Sequence, residues 1–217
     1  MKDLSNFREN YQRGQLCEEH AANNPFDQFT LWLDEAIGSE VGEANAMVVA
    51  TVNSEGQPSQ RVVLLKEVTK EGFVFYTNYN SRKGGEITHN NQVSLLFDWH
   101  PIERQVHIKG RAIKLPDEIS ITYFNSRPEG SKIGAWVSPQ SQMVEGREEL
   151  NRLQQETEVR FANKQIPKPP HWGGYLVVPH EIEFWQGRPS RLHDRLVYYL
   201  HKDVNNNGIW KRKRLAP

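Results

Sequence analysis

The sequence predicts an α+β fold built around a closed or partly closed, mainly antiparallel β-barrel. Many short runs of β-branched and aromatic residues are separated by turn residues, as in barrels and sandwiches. The few helical stretches between them do not alternate with the strands as they would in a doubly wound sheet. No internal repeat or change in composition divides the 217 residues. We therefore expect a polar, loose N-terminal arm over residues 1–23 and a single domain over residues 24–217.

The first helix is predicted directly after the arm. Asn24 can cap its N-terminus, and Pro25 suits the first helical turn. The apolar residues that follow at helical spacing are Phe26, Phe29, Leu33 and Ile37. This pattern predicts a helix over residues 25–38.

The middle of the chain is predicted to consist mainly of strands. AMVVATV (46–52) and SQRVVLLK (59–66), joined by the turn NSEGQP, predict a β-hairpin. Three further predicted strands are FVFYTNY (73–79), VSLLFDW (93–99) and RQVHIKGRAIKL (104–115). Between the first two of these, Ser81 can cap a short helix that begins at Arg82.

The last part of the chain is predicted to hold two helices and then four strands. One helix starts at Pro116 and ends before Pro128, and a charged helix covers about residues 142–162. The stiff loop QIPKPPHW follows. The four strands are GGYLVVP, EIEFW, RLVYYLHK and IWKRKRL, and the turn-rich DVNNNG joins the last two.

Composition excludes several classes of function. Lysine plus arginine and aspartate plus glutamate both number 27, so the chain lacks a global field for nucleic acid. Cys17 is the only cysteine, which excludes an intrachain disulfide and suits a reducing compartment. The N-terminus has no apolar signal core, and the longest apolar runs are far shorter than a membrane helix. We expect a soluble, cytoplasmic protein.

The familiar motifs of nucleotide, metal and hydrolase chemistry are missing from the sequence. It has no G-x-G-x-x-G after a strand, no Gly-Lys-Ser/Thr, no H-E-x-x-H, no cysteine pair and no G-x-S-x-G. We therefore expect no bound metal, and an organic cofactor that supplies the chemistry.

Two clusters in the first half of the chain could bind anions. Arg61 and Lys66 bracket RVVLLK and, being five residues apart on a pleated strand, would point to opposite faces. They could serve two different anions or simply be cations at the ends of a strand. The segment 81–85 offers two cations, a hydroxyl and backbone N–H groups at a helix start. This fits either a phosphate site or an ordinary capped helix.

Two further clusters lie in the second half. Tyr123, Arg127 and Ser131 could converge on one phosphate, or mark a helix C-terminus with a favourable arginine. Arg191, His193 and Arg195 share one face if the chain is extended there, and could bind an anion or form a solvated strand edge. Beside a ligand, the arginines would lower the pKa of His193 and make it a proton acceptor near neutral pH.

Six stretches carry a resemblance to a known family. They are RVVLLK (61–66), FYTNYNSRKGGEI (75–87), RQVHIKG (104–110), YFNSRPEGSKIGAWVSPQS (123–141), WGGYLVVPHEIEFWQGRPSRLHDRLVYY (172–199) and RLAP (214–217). Together they resemble pyridoxine/pyridoxamine 5'-phosphate oxidases over most of the chain from about residue 46. The combination of RLHDR after EFWQGR with SRPEGSKIGAW is highly specific.

The resemblance implies a split β-barrel homodimer with two FMN molecules at the subunit interface. By matched position, the residues around the FMN phosphate would be Arg61, Arg82, Lys83 and Ser141. The rest of the flavin would be held by Val62, Val63, Leu64, Tyr76, Thr77, Gln105, Gln140, Trp185 and Arg195. The substrate phosphate would be clamped by Lys66, Tyr123, Arg127 and Ser131. Arg191 and His193 would lie over the pyridine ring as the catalytic pair.

The implied reaction is oxidation of pyridoxine or pyridoxamine 5'-phosphate by oxygen to pyridoxal 5'-phosphate. Hydrogen peroxide is released, with ammonia from the amine. Arg191 would steady developing charge, while His193 or water takes a proton. Two alternatives are another split-barrel flavoenzyme, such as a flavin or deazaflavin-dependent reductase, and a non-catalytic carrier of FMN or pyridoxal phosphate. The first need not contain RLHDR or the Tyr-Arg-Ser clamp, and those same residues argue against the second.

Overall fold

A computed structural model describes residues 2–6, 9–202 and 208–217 of the chain. Within them the helices are α1 (Pro25–Ile37), α2 (Arg82–His89), α3 (Asp117–Ser126), α4 (Glu129–Val137) and α5 (Arg147–Phe161). The strands are β1 (Ala46–Val52), β2 (Pro58–Leu64), β3 (Glu67–Val68), β4 (Phe73–Asn78), β5 (Gln92–Trp99), β6 (Arg104–Lys114), β7 (Trp172–Gln186), β8 (Asp194–Lys202) and β9 (Gly208–Leu215). The predicted DVNNNG turn lies outside the described residues, apart from its final glycine.

The strands form one sheet whose pairings confirm the predicted α+β class. The hydrogen-bonded order is β2-β1-β5-β6-β7-β4-β3, and β8 pairs with both β7 and β9. β4 runs antiparallel to the first half of β7, with Phe73 opposite Val177. β8 runs antiparallel to the second half of β7, with Glu181 opposite Tyr199. β7 is therefore a long strand shared by two different antiparallel partners.

Pro179 lies inside β7, where the sequence predicted a break between GGYLVVP and EIEFW. That division is wrong, because the strand continues from Trp172 to Gln186. Proline interrupts a ladder by lacking an N–H group. Here the register with β4 ends at Val177 and the register with β8 begins at Glu181, so the missing donor falls between the two pairings.

The predicted helix starts are mostly confirmed by their caps. The Asn24 side chain accepts the N–H of Phe26 at 2.9 Å, and α1 follows. The Ser81 hydroxyl accepts the N–H of Gly84 at 3.4 Å, and α2 follows. Two details differ. α4 was not predicted, since glycines and the nearby Pro128 mask its periodicity. α5 begins about five residues later than predicted, after the extended Gly146.

The residues divide into two compact units by their contacts. Unit 1 comprises Met1–Val49, Ser94–Gly110 and Pro179–Pro217. Its core is aromatic: Phe29 packs on Phe97 with ring centroids 4.9 Å apart, and Trp32 meets Phe184 edge-on at 5.2 Å. α1 buries Phe29, Trp32 and Ala36 against this core, whereas Ile37, which was predicted to share the apolar spacing, is largely exposed.

The chain segment before α1 is hydrogen-bonded to the other parts of unit 1. Leu16 is buried, and its N–H donates to Asp194 at 3.0 Å. Arg214 forms two hydrogen bonds to the Glu18 carboxylate, at 2.9 and 2.7 Å. The Tyr198 hydroxyl donates to the carbonyl of Ala22 at 2.7 Å. The second half of the predicted arm thus has defined partners among the C-terminal strands.

Unit 2 comprises Ala50–Val93 and Arg111–Val178. A buried cluster of Phe124, Ile133, Ile166 and Trp172 joins α3, α4 and the start of β7. Phe75 on β4 packs against Tyr175 on β7 at 5.6 Å. These contacts give the helices and strands of unit 2 a common core beneath the candidate site. None of the helices formed by the described residues is both long and apolar enough to span a membrane.

Candidate functional site

Unit 2 contains a cavity of about 1020 Å³ that is lined by many of the predicted site residues. Fourteen of the nineteen lie on its wall: Arg61, Val62, Val63, Leu64, Lys66, Tyr76, Thr77, Arg82, Lys83, Tyr123, Arg127, Ser131, Gln140 and Ser141. Five of these are cationic, and no acidic side chain is among the described residues that line the cavity. Such a wall attracts anions.

Several different elements supply this wall. β2 carries Arg61, β4 carries Tyr76 and Thr77, and the first turn of α2 carries Lys83. Tyr123 lies on α3, Arg127 at the α3–α4 junction and Ser131 on α4. Lys66 lies between β2 and β3, and the loop after α4 supplies Gln140 and Ser141. Ser141, which lines the cavity, adopts a left-handed backbone (φ 71°). The site is therefore built from segments that are distant in sequence.

Lys83 is the most buried of the five cations. Its residue is 7% exposed, and its ammonium donates to Thr77 Oγ1 and Gln140 Oε1 at 2.9 Å each and to Ser81 Oγ at 3.3 Å. Burial, reinforced by the charge of Arg61, lowers the pKa of Lys83 to about 8. Three neutral oxygens thus hold the amine without neutralising it.

Arg61 lies in the same wall and is held from behind by polar side chains. Its Nη2 donates to Ser59 Oγ at 2.7 Å and pairs with Glu86 at 3.3 Å, and its Nη1 donates to Thr51. The prediction that Arg61 and Lys66 point to opposite faces assumed a regular strand from one residue to the other. β2 ends at Leu64, so pleating no longer applies at Lys66, and both cations line one cavity.

Arg127 projects from the α3–α4 junction rather than from a helix. α3 ends at Ser126 and Arg127 is extended (φ −71°, ψ 150°), so its predicted place one helical turn after Tyr123 is wrong in detail. Its guanidinium lies 4.6 Å over the Trp172 ring. Nη1 is buried and has no hydrogen-bond partner among the described residues. Burial lowers the pKa of Arg127 from its ordinary value.

Aromatic rings line one side of this guanidinium. Tyr76 stacks on Tyr123 with centroids 4.0 Å apart and planes inclined by 18°. Tyr76 is also nearly parallel to Trp172 at 5.3 Å. These ring contacts hold Tyr123 and Arg127 in place in the cavity wall.

The remaining five predicted residues lie in unit 1: Gln105, Trp185, Arg191, His193 and Arg195. The expectation that three of them share one face of an extended strand is wrong. Pro189–Arg191 forms a 3-10 turn, with left-handed φ at Ser190 and Arg191, and β8 begins only at Asp194. Glycine and proline nearby allow this tight turn in place of a strand.

The structure brings together two of these residues, His193 and Trp185. Their rings lie 4.6 Å apart, and Tyr11 packs on both, at 5.7 and 5.8 Å. The Arg188 N–H donates to His193 Nδ1 at 3.1 Å. Burial, and then the charge of Arg191, lowers the pKa of His193. The predicted direction of this shift is confirmed, although burial contributes more than charge.

Arg195 and Gln105 have partners of their own. Arg195 makes a two-pronged ion pair with Glu183, at 2.7 and 3.1 Å. Gln105 Oε1 lies 3.3 Å from His107 Nε2. Both side chains are therefore held by protein groups.

Sequence reasoning missed several residues of the cavity. Ser59, Asn78, Ser138 and Trp172 line it as well. Trp172 is buried, and its ring also supports Arg127. Glu86, behind Arg61, gave no signal because a carboxylate in a short helix is usually solvated.

Comparison with known proteins identifies the family. The family model "Pyridoxamine 5'-phosphate oxidase" matches residues 33–159, and "Pyridoxine 5'-phosphate oxidase C-terminal dimerisation region" matches residues 172–217. A pyridoxine/pyridoxamine 5'-phosphate oxidase of Bordetella petrii is 52% identical over 99% of both chains. One of Synechocystis sp. is 50% identical over 99% of this chain and 98% of its own.

Solved structures confirm the predicted split-barrel fold. PhzG from Burkholderia lata, in complex with tetrahydrophenazine-1-carboxylic acid, superposes with a TM-score of 0.83 at 31% identity, covering 92% of this chain and 95% of its own. An FMN-binding protein of Nostoc punctiforme has a TM-score of 0.67 at 14% identity, covering 90% of this chain and 100% of its own, which is a likeness of fold alone. On these matches, the chain belongs to the pyridoxine/pyridoxamine 5'-phosphate oxidase family of oxidoreductases.

Proposed function

We propose that this chain uses FMN and oxygen to oxidise pyridoxine 5'-phosphate or pyridoxamine 5'-phosphate to pyridoxal 5'-phosphate. Hydrogen peroxide is the second product, and the amine substrate also releases ammonia. Family membership supports the reaction class, because full-length relatives carry the names of both substrates. The finer chemistry is supported by the residues of the unit 2 cavity.

The observation that carries the proposal is the charge of that cavity. Five cations line it without an acidic side chain among its described lining residues. Nη1 of Arg127 is buried there with no partner among the described residues. A buried guanidinium nitrogen is unfavourable unless an acceptor reaches it, and a phosphate oxygen is such an acceptor. Two phosphorylated ligands would account for so many cations.

Part of the cavity wall has residues that fit the phosphate of FMN. Lys83 and Arg61 are both held by protein oxygens, so their charged groups are fixed before a ligand arrives. We assign the FMN phosphate to Arg61, Arg82, Lys83 and Ser141. The rest of the flavin is assigned to Val62, Val63, Leu64, Tyr76, Thr77, Gln105, Gln140, Trp185 and Arg195. When bound, FMN accepts two electrons from the substrate.

The other two cations, Lys66 and Arg127, are assigned to the substrate phosphate, together with Tyr123 and Ser131. The phosphate does not react, so its binding energy can orient the reacting carbon. We assign Arg191 and His193 to the pyridine ring. Because His193 Nδ1 already accepts the Arg188 N–H, a neutral ring carries its proton on Nε2 and donates from there. This arrangement favours water as the proton acceptor and His193 as a hydrogen-bond donor.

The test is a product assay on the FMN-loaded protein in air. Each vitamer phosphate is added, and pyridoxal phosphate and peroxide are measured together. The proposal expects both products in equal amounts. Binding of either phosphate without turnover would instead indicate a carrier.

The PhzG structure provides a second arm for the assay. Because that relative holds tetrahydrophenazine-1-carboxylic acid, the same compound is offered to this protein. The proposal expects slow or no oxidation, since a cavity with Lys66 and Arg127 selects a phosphate. If the protein oxidises this compound and neither vitamer phosphate, the proposed substrate class is wrong.

A further inference from the structure

Glu86 lies behind the cavity wall, where neither the proposed cofactor nor the substrate needs a carboxylate. Its side chain is 8% exposed, and it is not among the residues that line the cavity. One oxygen, Oε2, accepts from three donors. These are the Ser59 hydroxyl at 2.7 Å, the Arg61 Nη2 at 3.3 Å, and the Thr51 hydroxyl. A buried carboxylate oxygen with this many donors is the centre of a hydrogen-bond network.

The two hydroxyls connect Glu86 to both ends of the Arg61 guanidinium. Arg61 Nη1 donates to Thr51 Oγ1, and Arg61 Nη2 donates to Ser59 Oγ at 2.7 Å. Each hydroxyl has one hydrogen to give. Because an ionised carboxylate can only accept, Glu86 draws both hydrogens toward itself and leaves both oxygens free to accept from Arg61.

The consequence is a fixed arginine on the cavity wall. Thr51 is fully buried, so its hydroxyl has little freedom to turn toward water. The Arg61 side chain remains 21% exposed and lines the cavity. An arginine that is held at two nitrogens loses less rotational freedom when a phosphate binds.

We propose that Glu86 is a positioning residue for the cofactor phosphate, acting through the Thr51 and Ser59 hydroxyls to fix Arg61 in its binding orientation. The inference rests on the proposed function, since it takes Arg61 as a ligand of the FMN phosphate. Burial alone would raise the pKa of Glu86, but the hydrogen bonds from Thr51, Ser59 and Arg61 outweigh it and hold that pKa below its ordinary value. The carboxylate is therefore ionised at neutral pH, as the network requires.

The test is a double-mutant cycle read by FMN affinity. Flavin fluorescence is followed as FMN is titrated into the cofactor-free full chain. The variants are Glu86→Ala, Glu86→Gln, Arg61→Ala and the double variant Arg61→Ala/Glu86→Ala. Glu71→Ala is the matched control, because Glu71 is exposed in a loop of the same unit. The control should bind FMN like the wild type.

The expected result is a loss that depends on Arg61. Glu86→Ala should raise the Kd about tenfold, and Glu86→Gln should recover most of it because the amide oxygen still accepts. In the Arg61→Ala background, Glu86→Ala should change the Kd by less than about twofold. An unchanged Kd for Glu86→Ala, or an equal loss in both backgrounds, would overturn the inference and leave the proposed function standing.

Two further outcomes concern the phosphate assignment and the folding of the variant. If Arg61→Ala binds FMN as tightly as the wild type, the phosphate assignment itself fails, and this inference fails with it. If Glu86→Ala does not fold by circular dichroism, Thr51→Val takes its place, because Thr51 is buried and does not line the cavity. That variant should raise the Kd by about threefold with Arg61 present and leave it unchanged without Arg61. A rise in both backgrounds contradicts the inference.

Discussion

Lys83 is the residue whose chemistry depends most on its surroundings. Its ammonium group is surrounded by neutral oxygens, and burial lowers its pKa to about 8. An anionic ligand favours the charged form, so phosphate binding and protonation of Lys83 support each other. At a pH above this lowered pKa, Lys83 must take up a proton before it can bind the phosphate as a cation.

We therefore predict that FMN affinity weakens as pH rises through about 8, by up to about tenfold per pH unit. Lys83→Arg should remove this dependence, because a guanidinium stays charged throughout the range. The measurement is FMN titration of the cofactor-free protein between pH 7 and 9.5. A wild-type Kd that stays constant over this range would remove Lys83 from the phosphate site.

Arg191 offers a test of the ring-binding assignment. It adopts a left-handed backbone conformation (φ 62°), which a side chain tolerates poorly and glycine tolerates well. We predict that Arg191→Ala and Arg191→Gly both lower turnover, on the order of a hundredfold, while FMN stays bound. Arg191→Gly should unfold at a temperature no lower than Arg191→Ala does. Near-normal turnover in either variant would exclude Arg191 from the mechanism.

At the scale of residues, the sequence predicted chemical types better than geometry. The cations of 61–66 and 81–85, and the side chains of Tyr123, Arg127 and Ser131, were singled out from spacing, and all of these line one cavity. The predicted directions of Arg61 and Lys66 assumed a regular strand beyond its actual end at Leu64. Glu86 could not be predicted, since its role depends on Thr51 and Ser59, which only folding brings to it.

Among the elements, α2 is where close packing matters most for the site. Gly84 sits in its first turn, next to Lys83, and a Cβ there would collide with the backbone carbonyl of Tyr79. Gly85 is exposed, and a Cβ there would meet nothing within 4 Å. α2 therefore has room for a side chain at Gly85 but not at Gly84.

We predict that Gly84→Ala destabilises the protein by about 1–3 kcal/mol and weakens FMN binding, because α2 must shift. Gly85→Ala should be neutral or stabilise the protein by up to about 1 kcal/mol, through its better helix propensity. Denaturant unfolding of the cofactor-free variants provides the free energies. Equal effects of the two substitutions would show that the Tyr79 contact does not constrain α2.

Element boundaries were predictable where a local signal exists. Caps at Asn24 and Ser81 fixed the starts of α1 and α2. The continuity of β7 across Pro179 depends on pairing with other strands, which no local window of sequence contains. The turn at Pro189–Arg191 does have local signals in Gly187 and Pro189, and the prediction of an extended RLHDR did not weigh them.

For the whole molecule, the family match adds an expectation about assembly. The C-terminal dimerisation model covers residues 172–217, which include β8 and β9. We propose a homodimer in solution, with a mass near twice the chain's 25.2 kDa by light scattering. A single species of one chain mass at micromolar concentration would contradict it.

We propose that the cationic cavity recognises a phosphorylated vitamer so that it can be oxidised. This is tested by measuring kcat/KM for pyridoxine 5'-phosphate and for pyridoxine in three FMN-loaded proteins: the wild type, Arg127→Ala and Lys132→Ala. Lys132→Ala is the control, because the Lys132 ammonium donates to the Asn125 carbonyl. We expect kcat/KM of the wild type to be higher for the phosphate than for pyridoxine by a factor on the order of a thousand, and Lys132→Ala to keep this ratio. Arg127→Ala should lose at least about tenfold of that preference, mainly through KM, with FMN still bound. Equal kcat/KM for both compounds in the wild type, or loss of FMN alone in Arg127→Ala, would contradict the account.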